Sequence, residues 1–164
     1  MKIALCLFGL TGGTIGVGGQ GKQIHPKNGH LYYKKNLIDQ YDVDVFIHSW
    51  STEFKNELIE IYKPKKHIIE PQRDFSQITL NNFGYHKISD LRKHKPYFEA
   101  YKDLSDIEAF EKFETLLWRS YSRWYSTKMS INLKKEHELS NNIEYDFVIS
   151  SRLDMALLKK IKFE

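Results

Sequence analysis

The run KIALCLF at positions 2–8 constrains this chain more than any other stretch: it is apolar throughout after Lys2, strand-length, and stopped by Gly9. A strand with one wet face alternates apolar and polar residues. An unbroken run therefore reads as a strand covered on both faces, the habit of a central parallel strand. Further strand-length stretches with apolar cores are VDVFIHSW at 43–50, KHIIEP at 66–71 and YDFVIS at 145–150. The segments between the first three carry helical spacing. HLYYKKNLIDQY at 30–41 takes Asn28 as its cap, and STEFKNELIEIY at 51–62 takes Ser51, with Glu53 in its first turn. Strand and helix alternate, which predicts an α/β fold: a Rossmann-like, mostly parallel sheet flanked by helices.

Helical spacing returns over 105–139, where Phe110, Phe113, Leu117, Tyr121, Trp124 and Ile131 share a stripe. A helix that long would run about 50 Å, so a break is expected near 120–126. Residues 72–104 are polar and aromatic with weak periodicity and are expected to pass over the active face. With no repeat or linker, residues 1–164 read as one α/β domain, a length at which a sizeable core can be buried.

Charge and cysteine content narrow the function classes. The net charge is +4 with a pI near 9.0, and the lysines are interspersed with acids, which favours small anionic partners and argues against nucleic acid. Cys6 is the single cysteine and lies inside an apolar run, so it reads as a buried hydrophobe in a reducing compartment. No segment reaches the length of a membrane span, and a cytoplasmic location is expected.

Eight of the nine glycines fall in 9–29. GVGGQGK at 16–22 fits the phosphate-cradling pattern G-x-x-x-x-G-K, and Gly16, Gly18 and Gly21 fit the dinucleotide pattern G-x-G-x-x-G. Gln23 stands where the first pattern needs Ser or Thr, Pro26 interrupts an immediate helix, and strand 1 ends eight residues too early for either. A loop at the C-terminal end of strand 1 is better read as closing over an anionic ligand.

Parallel strands end together. Phe8 and Gly9, His48 to Trp50, Glu70, and Arg152 with Asp154 should thus converge on one edge, joined by Arg123 to Lys128 from the antiparallel helix. Lys128 falls on the aromatic stripe, and a lysine facing a core calls for an anionic partner.

The order DVFIHSW, SRWYSTKMSINLKKEHE, YDFVISSRLDMAL resembles the GT-A-type glycosyltransferases of bacterial and viral surface polysaccharide synthesis, with R-x-D in place of their D-x-D. The resemblance covers most of the chain outside 72–104. It implies a GT-A-like donor-binding half that transfers a sugar from a nucleotide-sugar donor to a glycan or lipid-linked acceptor, at the inner face of a membrane or in the cytoplasm. Phe8, Gly9, Thr11, His48, Ser49, Trp50, Arg123, Lys128 and Arg152 would hold the nucleotide sugar, and Asp154 would bind Mg or Mn. Ten residues follow Asp154, which implies the N-terminal donor-binding part of a longer enzyme, with the catalytic base outside this chain. A non-catalytic nucleotide- or partner-binding module is the alternative, and a phosphotransferase built on 16–22 a lesser one.

Overall fold

In the computed structural model, residues 1–12, 24–78 and 103–163 are described. They form two compact units, 1–72 together with 123–164, and 73–122. The glycine-pattern residues 16–22 and most of 72–104 lie outside the described residues, so the expectations placed on them do too.

The first unit is built on four parallel strands: β1 (Lys2–Gly9), β2 (Asp42–Ser49), β3 (Lys66–Ile69) and β4 (Phe147–Arg152). They lie in the order β3-β2-β1-β4. Helix α1 (Pro26–Tyr33), continued by a π-helical turn Lys34–Ile38, joins β1 to β2. A 3-10 turn (Thr52–Phe54) and helix α2 (Lys55–Tyr62) join β2 to β3, and helix α3 (Asp106–Asn141) precedes β4. The expected α/β architecture with a parallel sheet flanked by helices is present.

Crossover handedness explains the layering. β1-α1-β2 and β2-α2-β3 step in one direction, so right-handed connections put α1 and α2 on one face. The return to β4 reverses the step, which places α3 on the other. Strand alternation sorts the core accordingly. Ile3, Leu5, Leu7, Val45 and Ile47 pack with Tyr33, Leu37, Leu58 and Tyr62. Ala4, Cys6 and Phe46 pack with Leu133 and Tyr145. Burial pushes the Cys6 thiol up to about 12, with nearby Glu138 adding to it against the opposing pull of Lys134, so it is an inert core group.

Several local expectations need correction. Helix α1 begins at Pro26, not at 30: proline suits the first helical position, and the His25 side chain caps it by accepting from the Lys27 N–H at 3.2 Å. Asn28 therefore lies inside the helix. Ser51 stands at the N-cap position of the 3-10 turn, as expected, but its hydroxyl makes no cap bond and instead accepts the Thr11 N–H at 3.1 Å. β4 starts and ends two residues later than the apolar run. Ser150, Ser151 and Arg152 still pair with Cys6, Leu7 and Phe8, so Arg152 is the last residue of the strand.

The expected break in the long helix is not there. Helix α3 runs unbroken for 36 residues, because it belongs to both units and is not confined within one. In the second unit its start is a capping box: Ser105 Oγ accepts the Glu108 N–H, and Glu108 accepts the Ser105 N–H at 3.0 Å. Within the first unit the buried face of α3 is Ser126, Ser130 and Leu133, whereas Trp124 is exposed.

Candidate functional site

The order β3-β2-β1-β4 places a topological switch point between β1 and β4, since the chain winds away from β1 in one direction and returns on its other side. Open α/β sheets bind ligands in the crevice that such a reversal leaves at the C-terminal strand ends. Here the crevice is flanked by Phe8 and Gly9 on β1 and by Arg152 on β4, with Phe8 and Arg152 in register.

Gly9 is held from all sides. Its N–H donates to Ser126 Oγ at 2.9 Å, and its carbonyl accepts from Ser49 Oγ at 2.9 Å and from the Trp50 N–H at 3.3 Å. Its φ is +91°, a conformation that favours glycine, and no described atom lies within 4 Å of where a Cβ would stand. Among the described residues, nothing blocks close approach to this backbone at the switch point.

Beneath this turn runs a chain of buried polar groups. Ser126 Oγ lies 2.7 Å from His48 Nδ1, and His48 Nε2 lies 3.2 Å from Glu70 Oε1. Hydroxyl, imidazole and carboxylate in that order are the parts of an activated serine nucleophile. Burial excludes that reading: Ser126 is 0% exposed and its oxygen already accepts the Gly9 N–H. If Ser126 donates to Nδ1, the neutral Nε2–H tautomer of His48 directs its hydrogen at Glu70 and completes all three bonds. The chain is a clamp joining α3, β1, β2 and the end of β3. Trp50 stacks on Tyr125 at 5.6 Å between ring centroids, and His48 meets both rings edge-on.

The residues singled out from sequence therefore divide. Phe8, Gly9, Arg152 and Asp154 come together at the crevice. Thr11, His48, Ser49 and Trp50 are at the same edge but buried, with the Thr11 N–H on Ser51 Oγ and the Ser49 hydroxyl on the Gly9 carbonyl. Arg123 and Lys128 are exposed on α3. Lys128 is turned about 200° away from Ser126 on the helix, so it does not face the core as its place on the aromatic stripe suggested. The core-facing lysine is Lys134, paired with Glu138 at 2.7 Å. Ser126 escaped the sequence reading, because a serine on a buried helix face leaves no mark in a hydrophobic pattern.

Asp154 is engaged by Arg152: Nε donates to Oδ1 at 2.7 Å and Nη2 to Oδ2. A hard divalent cation gathers several oxygens. Both Asp154 oxygens are taken by Arg152, and among the described residues no group of three or more His, Cys, Asp or Glu is gathered that could hold a metal.

Among the described residues, two hollows lie away from this edge, of about 600 Å³ beside Lys134, Leu139 and Val148, and about 460 Å³ beside His30, Asp42 and Lys63. Both are at the opposite strand ends, where Lys65 pairs with Asp44 and Lys134 with Glu138. No helix among the described residues is long and apolar enough to cross a membrane. Searches of protein-family models, of curated proteins and of solved structures find no match to this chain.

Proposed function

We propose that this chain binds a nucleotide-sugar donor as the donor-binding, GT-A-like part of a glycosyltransferase that acts on a glycan or lipid-linked acceptor. The observation that carries the reading is the switch point itself, where Gly9 follows Phe8, the register partner of Arg152 on β4. Sugar transfer breaks the bond between the anomeric carbon and the diphosphate oxygen, and negative charge develops on the departing nucleoside diphosphate. A planar guanidinium carried at the end of a strand can turn two parallel donors to that charge. Gly9 lets the ligand come against the main chain, and the Ser126–His48–Glu70 clamp keeps that turn in place.

A thermal-shift panel of nucleotide sugars and nucleoside diphosphates, with and without Mn, tests the reading. At least one donor should raise the melting temperature, and Arg152→Gln should remove that rise. A panel in which no nucleotide stabilises the protein would overturn it.

A second reading, a nucleotide-binding module without catalysis, draws on one observation: Glu70 and Asp154, two carboxylates at this edge, are already bonded to neighbours. Turnover of a bound donor, followed by release of nucleoside diphosphate, separates the two. Binding without turnover favours the module.

A further inference from the structure

The carboxylate that R-x-D sets beside Arg152 is held by that same arginine, and this pairing reaches further than the other features of the crevice. We propose that Asp154 is an internal counter-ion on the phosphate-binding face of Arg152, displaced when the diphosphate of a ligand takes its place. The proposal rests on the nucleotide-binding reading above and gives the site a lock.

The Arg152 backbone is fixed. It pairs with Phe8, its carbonyl accepts from Tyr33 Oη at 3.1 Å, and the next N–H, of Leu153, donates to Phe8 O at 3.1 Å. The guanidinium is freer, with 46% of the side chain exposed against 19% for Asp154. Only the partner of the guanidinium has room to change. A carboxylate and a phosphate present the same pair of oxygens to the arginine fork, so one substitutes for the other. A solvated pair of this kind withholds no more than about fivefold in affinity, so a diphosphate that meets Arg152 and the open Gly9 turn together outcompetes it. The bland reading is a pair that fixes the turn Arg152–Met155, closed by a long 3.4 Å bond from the Met155 N–H. Such a pair would affect stability and leave affinity alone.

Calorimetry in EDTA, with inorganic pyrophosphate and with uridine diphosphate as probes, separates these on wild type, Asp154→Asn, Arg152→Gln and the double variant. Asp154→Asn should tighten both probes two- to fivefold, while Arg152→Gln weakens them about tenfold or more. In the Arg152→Gln background, Asp154→Asn should change nothing; an equal gain there would mark mere removal of a negative charge and overturn the lock. Unchanged affinity in Asp154→Asn while wild type binds also overturns it, yet leaves the ligand reading standing. A loss confined to experiments with Mn added makes Asp154 a metal ligand and overturns the lock likewise. If neither probe binds any of the four proteins, the ligand reading falls and takes the lock with it.

Discussion

At the N-terminal strand ends, Asp44 is buried and gathers three partners: Tyr145 Oη at 2.8 Å, and Lys2 and Lys65 at 3.3 Å each. At the C-terminal strand ends, Asp154 is partly exposed and pairs with Arg152. Both ends place charge against the same apolar strands. One end spends its polar groups on each other and closes the sheet. The other spends its buried groups, Ser126, His48, Ser49 and Ser51, on holding backbone turns in place, and leaves an arginine and an open glycine at the surface. A stapled edge and a prepared edge differ in what their hydrogen bonds are for, and substitutions should reveal the difference.

The largest effect is expected at the prepared edge. Ser126→Ala strands the Gly9 N–H and the ring nitrogen of fully buried His48 at once, which should cost about 2–4 kcal/mol in urea unfolding. Ser130 is equally buried, but its hydroxyl bonds back to Thr127 O in the same helix. Ser130→Ala should stay below about 1 kcal/mol, since it leaves no other element unpaired. Equal costs at the two serines would mean that the clamp does not hold the edge.

Asp44→Asn comes next, at about 1.5–3 kcal/mol, for a charged acceptor with several donors. Burial alone would raise its carboxyl, but the Tyr145 hydroxyl together with Lys65 and Lys2 outweighs that and holds it below the usual range. A carboxylate with a depressed folded pKa contributes stability above its unfolded pKa, about 3.9. That stability is lost as pH falls through the lower folded value. Unfolding free energy should therefore drop in acid for the native chain, and less steeply for Asp44→Asn. Parallel pH profiles for the two proteins would remove Asp44 from the staple.

What the sequence made legible divides along the same line. The strands and their parallel order were readable because unbroken apolar runs leave few alternatives. The stapled edge was not, because Tyr145 looked like the start of a strand and is instead a hydrogen-bond donor to Asp44. At the prepared edge, convergence of Phe8, Gly9, Arg152 and Asp154 follows from parallel strands alone. The burial of His48 and Trp50 does not follow, since an apolar run does not say whether its polar end meets solvent or a helix. Helix α3 departs from its pattern for a related reason: Trp124 of the aromatic stripe is exposed, while small serines at 126 and 130 let the helix settle against the sheet.

Gly9→Ala tests the prepared edge without touching its hydrogen bonds. No described atom obstructs the new methyl, so the cost is conformational, about 1–2 kcal/mol for an L-residue held at positive φ. If the open space is where a ligand approaches the main chain, affinity for uridine diphosphate should fall well beyond what that loss of stability explains. A destabilised variant that still binds with native affinity would move the ligand away from Gly9.

The smallest effect is expected at Lys128, and it sharpens the comparison because sequence pattern alone ranks it first. Were Lys128 under a diphosphate, Lys128→Met would cost a charge-assisted contact of about 1.5–3 kcal/mol. The side chain is instead exposed, on the side of α3 turned away from Ser126 and hence from the strand ends. Exposed substitutions of this kind stay within about 0.5 kcal/mol of neutral. Lys128→Met should thus leave both the urea midpoint and the affinity for pyrophosphate unchanged, while Arg152→Gln in the same assay loses affinity. The reverse ranking would place the anion on the helix and not at the switch point.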